Sequence, residues 1–381
     1  GNRDRKGLTS NLEYRDTDGR QLYLRAYYTD YDTKLDHIQD KVTVAGSTIN
    51  QTTPTTGDQT GSSWIQYHEL KQDNRNVQQY VLGGATPLAP GFKLESALAF
   101  TQADESVPSD TYYEMQNVAS YGFHYDFSRQ YFPIEDLHGA LQNPTSWYPF
   151  VYRNEPSQVK EQSKSARIDL TWKGETFGLP ATTKVGAKAM SRHKNVTDHS
   201  YQFKYAGPKT TTLASDTGSG ILGESLSAYH NFGTFFNGIY DFGPVVNPTV
   251  MENWFQATKP TYVDLWTQVD SPTWSYSLQS SVQNTIEDSY NIQENIYSAY
   301  AMESLELTKQ MSLIGGVRVE RTDGQIDANA ALTDASGNFL PNGVKRVKGG
   351  SPYNTVLPNL QFRYEPQKNL LIRAALTKTL S

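Results

Sequence analysis

Between Leu313 and Glu320 the chain alternates residue by residue, with Leu313, Gly315, Val317 and Val319 on one side and Ile314, Gly316, Arg318 and Glu320 on the other. A period of two predicts a β-strand with one apolar and one largely charged face. The rhythm returns where Leu360, Phe362 and Tyr364 alternate with Asn359, Gln361, Arg363 and Glu365, before the turn residues Pro366, Gln367, Lys368 and Asn369 and an extended run over 370–380. A partner for the first run precedes it, since 291–322 divides at Leu307, Thr308, Lys309 and Gln310 into two extended halves.

The same unit predicts three earlier hairpins. In the first, Leu8, Ser10, Leu12 and Tyr14 oppose Thr9, Asn11, Glu13 and Arg15; Asp16, Thr17, Asp18 and Gly19 supply turn chemistry, and 21–31 returns. The second joins 76–84 to 93–102 through 87–91. The third sets Ala166, Ile168, Leu170 and Trp172 against 184–192, with 173–182 expected as the longest of the tight connections.

Between the hairpins lie four stretches without alternation, 32–63, 103–162, 193–290 and 323–354, expected as long loops, the largest folding partly on itself. Tight turns near residues 17, 89, 178, 308 and 367 thus alternate with long connections. Transmembrane barrels have this asymmetry, with short turns on one side and long loops on the other, whereas sandwiches keep both ends short. The expected fold is all-β: one incomplete antiparallel transmembrane β-barrel domain over 1–381, with about ten strands and long extracellular loops.

Cost assigns the faces. An arginine on the lipid side at mid-membrane costs roughly 2 to 4 kcal/mol, so Arg25, Arg167, Arg318, Glu320, Arg363 and Arg373 are expected to line a watery lumen, with their apolar neighbours turned to lipid. Composition agrees with a barrel whose alternate residues meet water: 37% hydrophobic residues, but Tyr 25, Phe 15 and Trp 6. A net charge of −6 gives no footprint for nucleic acid. Cysteine is absent, so disulfides and thiolate metal sites are excluded. No run of ~18 apolar residues offers a membrane helix. The chain begins at Gly1 without a signal segment and stops at Ser381 inside a strand pattern, which reads as a fragment.

Two passages carry a family likeness. ENIYSAYAMESLELTKQMSLIGGVRVERT and YNTVLPNLQFRYEPQKNLLIRAALTKTLS resemble the barrel hairpins of TonB-dependent outer-membrane receptors, over about 60 residues. The resemblance implies a 22-stranded barrel around an N-terminal plug, so this chain would be less than half a barrel, with plug and closing strands absent. It further implies a place in the outer membrane of a Gram-negative bacterium, contact with lipid and lipopolysaccharide, and uptake of a large scarce solute driven by the TonB energy-coupling complex through the plug.

Candidate chemistry is sparse. The aromatics Trp64, Tyr67, Trp147, Tyr148, Tyr152, Trp254, Phe255, Trp266 and Trp274 fall outside the clear strands and are expected to meet ligand by stacking, with packing inside the loops as the plainer reading. That richness, with little positive charge, favours an oligosaccharide over a ferric siderophore. Asp30, Asp32, Asp36 and Asp40 lack the glycine and distal glutamate of a calcium loop and read as a solvated acidic stretch. No His pair has zinc spacing, G-x-S-x-G occurs only in broken form at Gly218, Ser219 and Gly220, and no carboxylate pair stands out. No catalytic residue, metal or cofactor is assigned. A secreted carbohydrate-binding module or a glycosidase would also explain the aromatics, but neither explains the alternation of turn lengths.

Overall fold

The chain is described by a computed structural model covering residues 1–43, 48–117, 121–128, 134–136, 143–209, 211, 230, 231, 234, 235, 240, 241, 243–261 and 265–380. Ten long strands form the wall: β1 (Asn2–Arg15), β2 (Gln21–Thr43), β3 (Thr56–Ala89), β4 (Phe92–Asn117), β5 (Ser157–Thr176), β6 (Leu179–Asp198), β7 (Tyr290–Thr308), β8 (Met311–Thr333), β9 (Tyr353–Gln367) and β10 (Leu370–Thr377). Each pairs antiparallel with the next in chain order. Seven further strands bring the sheet to seventeen. Among the described residues β1 does not pair with β10, so the sheet is open.

The hairpins are staggered. Gln21, the first residue of β2, stands opposite Ala85 while β3 runs on to Ala89, and Phe92, the first of β4, stands opposite Trp172 while β5 runs on to Thr176. A regular offset of this kind is the shear that tilts the strands of a barrel.

The register sorts the side chains by face. Leu12, Leu24, Leu82 and Leu98 stand opposite one another on β1 to β4, all of them exposed. The row continues one step along as Ile168, Ala187, Ala299, Val319 and Val356 on β5 to β9. The opposite face carries Glu95, Asp169, Tyr300 and Arg318 in one row. A contiguous exposed apolar band of this extent is what lipid covers on a membrane barrel.

The tight connection after β5 is two residues, Phe177 and Gly178, with φ of 55° and 73°. Both lie in the left-handed region that the common two-residue hairpin turn demands. The expected connection over 173–182 is therefore paired strand on both sides of that turn.

The long connections differ more. β2 continues to Thr43 and β3 already begins at Thr56; β4 reaches Asn117, β6 reaches Asp198 and β8 reaches Thr333. Much of what alternation marked as loop is strand projecting past the apolar band. With both faces polar there, the period-two signal disappears although the backbone pairing does not. Asp30, Asp32, Asp36 and Asp40 accordingly sit at alternate positions of β2, on one face of a ribbon rather than in a loop.

Two helices cap this end. α1 (Pro248–Thr258) starts at Asn247, whose side chain accepts from the amides of Thr249 and Val250, with Pro248 at its first position. It buries Val250, Met251, Trp254 and Phe255, while α2 (Leu278–Glu287) buries Val282 and Ile286. Neither was anticipated. Most of the expected self-folding stretch between 210 and 242, including Ser219, lies outside the described residues.

Candidate functional site

Past the apolar band, β2, β3, β4 and the short strand Trp147–Asn154 carry their polar face onward as paired charges. Lys71 Nζ lies 2.8 Å from Asp110 Oδ2. Tyr112 donates from Oη to Glu69 Oε1 at 3.2 Å, and Glu69 Oε2 lies 3.1 Å from His37 Nδ1. The Arg153 guanidinium sits 4.2 Å from the Tyr112 ring centre and 3.6 Å from Glu155. Arg75 reaches Asp73 and Glu105, each at 2.8 Å.

Register puts these groups together. Lys71 is the cross-strand neighbour of Asp110, Glu69 of both Tyr112 and His37, and Tyr112 of Arg153. Directly opposed side chains on one face stand ~5 Å apart, close enough to pair. A register shift between Gln72 and Asn74 inserts one extra residue in β4, so Asp110, Tyr112 and Glu114 take the face that Glu95 and Glu105 hold further down.

Burial sets the electrostatics. Asp110 is pushed above the usual carboxylate range by burial, with Glu69 and Glu155 adding to it against the pull of Lys71. Burial draws the Lys71 ammonium down, but the hydrogen bond and charge of Asp110 outweigh it and leave the group raised. Burial likewise raises the Tyr112 hydroxyl, helped by Asp110 and Glu69, and the Glu114 carboxyl. Asp198 is pushed up to about 6 by burial and then by Asp288, Glu155 and Asp110. The lattice therefore holds charge pairs and one carboxyl able to change protonation near neutrality.

Six residues expected at the lumen, Arg25, Arg167, Arg318, Glu320, Arg363 and Arg373, all occupy the face opposite the apolar band. Arg318 Nε lies 2.6 Å from Glu320 Oε1, and its second nitrogen donates to Ser298 Oγ at 2.6 Å. Arg25 lies over the Tyr23 ring at 4.4 Å.

The aromatic candidates are arranged differently from the open stacking surface the sequence suggested. Trp64, Trp147, Tyr148, Tyr152, Trp254, Phe255 and Trp274 are buried. Tyr152 stacks on Phe255 at 3.5 Å, and Trp274 meets Trp254 and Phe255 edge-on at 5.4 and 5.3 Å. These rings hold α1 against the extended strands, because a loop of this size needs an apolar centre to stay ordered. Tyr67, half-buried on the polar face, and Trp266, 48% exposed, are the two that remain open to solvent.

The lattice residues Lys71, Asp110, Tyr112 and Arg153 escaped sequence reading. Lys71, Asp73 and Arg75 do alternate in the sequence, a charged period-two run that marks a strand face without any apolar partner. Among the described residues no three Asp, Glu or His groups converge as a metal site.

Comparison with known proteins adds the family. A search of curated proteins returns no match. The fold is similar to the ferric-catecholate import receptor Fiu from E. coli K12, closed form, at 9% identity and TM-score 0.46, covering 98% of this chain and 49% of that one. It is similar also to the siderophore receptor PiuA from Acinetobacter baumannii (12%, TM-score 0.29, 97% and 48%) and the ferric yersiniabactin uptake receptor FyuA from Yersinia pestis (10%, TM-score 0.27, 97% and 46%). The chain spans about half the length of these structures. The family model for the TonB dependent receptor-like β-barrel matches residues 100–381, and the chain belongs to that family.

Proposed function

We propose that the receptor containing this chain sits in the outer membrane of a Gram-negative bacterium and takes up a large, scarce solute with energy from the TonB complex. The partition of faces carries this reading: an exposed apolar band on one side of ten strands, and ionised side chains on the other. The apolar side meets lipid, Arg25, Arg167, Arg318, Glu320, Arg363 and Arg373 face the watery lumen, and the projecting strands receive the solute. Capture and release need no bond chemistry, and no residue is given a catalytic role.

Aromatic-rich loops and little positive charge were the grounds for preferring an oligosaccharide, and burial of most of the rings withdraws the first. The accessible groups are instead Lys71, Arg75 and Arg153, each paired with an acidic side chain, together with Tyr67 and Trp266. Cations that can exchange an internal carboxylate for an anionic ligand suit a ferric siderophore better than a neutral sugar. Uptake of radiolabelled ferric siderophores and oligosaccharides by cells expressing the full gene, with and without TonB, tests both levels. TonB-dependent iron accumulation supports the reading, sugar accumulation alone reverses the solute, and no uptake of either overturns it.

A further inference from the structure

Asp110 depends on a single cation. It is 6% exposed and its Oδ2 lies 2.8 Å from Lys71 Nζ. Among the described residues its Oδ1 has no hydrogen-bond partner, and no second cation stands within ion-pair distance. The hydroxyls beside it on β4 are engaged elsewhere: Ser109 and Thr111 bond to each other at 3.0 Å, and Tyr112 donates to Glu69.

The neighbouring elements offer it no replacement. Glu69 on β3 and Glu155, just past the strand Trp147–Asn154, both disfavour its charge, and Asp198 on β6 is in turn raised by it. The cations of these elements are taken up in other pairs, Arg75 with Asp73 and Glu105, and Arg153 with Glu155 and the Tyr112 ring, while His37 on β2 faces Glu69. Lys71 is the movable member of the pair. Its side chain is 30% exposed, and an ammonium on a four-carbon stem can turn to an incoming anion without moving the backbone. Asp110 is too buried to follow it. A carboxylate that loses its countercharge away from water neutralises by binding a proton.

We propose that Lys71 and Asp110 form a proton-coupled capture switch: Lys71 swings to an anionic solute, Asp110 takes a proton from water, and binding therefore weakens as pH rises. The bound form holds a proton that the free form lacks, so affinity falls by as much as about tenfold per pH unit. The inference rests on the anionic ferric solute proposed above, and the test includes a measurement that needs no solute.

That measurement is infrared spectroscopy of the full receptor in mild detergent at pH 7. Lys71→Met removes the countercharge, and is expected to add a protonated-carboxyl band that the unsubstituted receptor lacks and that Lys71→Met/Asp110→Asn loses. Calorimetry then counts protons at pH 7.5, from the difference in binding heat between phosphate and Tris buffers, with the ferric complex of a synthetic hexadentate tricatecholate as the anionic probe. Uptake of about one proton per ligand is expected, falling to near zero in Asp110→Asn, which also binds more tightly and with little pH dependence. No new band in Lys71→Met, or equal proton uptake with and without Asp110, overturns the switch. A probe that does not bind overturns the anionic-solute reading, and the infrared band still decides the behaviour of Asp110.

Discussion

The Tyr300 hydroxyl donates to Asp169 Oδ1 at 2.7 Å by crossing over Gly186, which stands between them in the same row of the polar face. A Cβ at Gly186 would overlap both the Asp169 carboxylate and the Tyr300 ring. The glycine is thus the gap through which β7 is tied to β5 across β6. Lys184, at 3.5 Å from Glu95 and 3.8 Å from Asp169, extends the tie to β4.

Replacing Gly186 by alanine is expected to expel the Tyr300 ring and destabilise the wall by about 1 to 3 kcal/mol, the range for overpacking. Tyr300→Phe, which removes only the hydroxyl, is expected to cost about 1.5 to 3 kcal/mol as a lost bond to a charged group. Urea unfolding of the receptor in detergent, followed by tryptophan fluorescence, reads both. A double variant no worse than Gly186→Ala alone would show that the two act through one contact.

Trp274 is the centre of the cap: it is wholly buried, packs on Trp254 and Phe255, and donates from Nε1 to Thr258 Oγ1 at 3.1 Å. Trp274→Ala is expected to cost the cap about 3 to 5 kcal/mol, the usual loss for a large buried ring. Limited proteolysis checks it, with new cleavage expected in 248–276 while the ten wall strands stay uncut.

Asp198 predicts a pH dependence. Its carboxyl titrates at about 6 in the folded protein against 3.8 for the free side chain. Between those values the folded form keeps a proton that the unfolded form has lost, so stability falls as pH rises from about 4 to about 6, and the penalty is complete above that. Asp198→Asn should therefore stabilise the junction of β6 with α2 at pH 7.5, by about 1 to 2 kcal/mol after allowance for partial exposure, and change little at pH 4. Hydrogen exchange of 197–203 at the two pH values gives the comparison.

Tyr67 and Trp266 are the open aromatics. Each change to alanine is expected to weaken ligand binding by about 1 to 2 kcal/mol without altering the unfolding midpoint. Isothermal titration with the transported solute measures it, and a truncation that lowers stability instead would assign the ring to the cap.

The part of the fold legible in the sequence is the part that crosses the apolar band. There Leu313, Val317 and Phe362 alternate with Arg318 and Arg363 because lipid and water impose opposite demands on the two faces. Past the band both faces meet water or other protein, so 32–43 and 103–117 look like loop although they are strand. The helix start at Asn247 and Pro248 was available as a capping signal but stood in a stretch read as irregular. The charge lattice was hidden for another reason. Lys71 and Asp110 are far apart in sequence, and only the register, shifted by the extra residue in β4, brings them together.

The most direct measurement of the whole account is which medium each face meets. This chain lacks cysteine, so within it an introduced cysteine is the one site that takes a spin label. Labels at Val317→Cys and Leu360→Cys in the receptor reconstituted into bilayers should collide with oxygen and be shielded from a water-soluble nickel complex. Labels at Arg318→Cys and Arg363→Cys should show the reverse. Equal access of both pairs to the nickel complex, or exchange of the two patterns, would contradict a wall with lipid on one side and a watery lumen on the other.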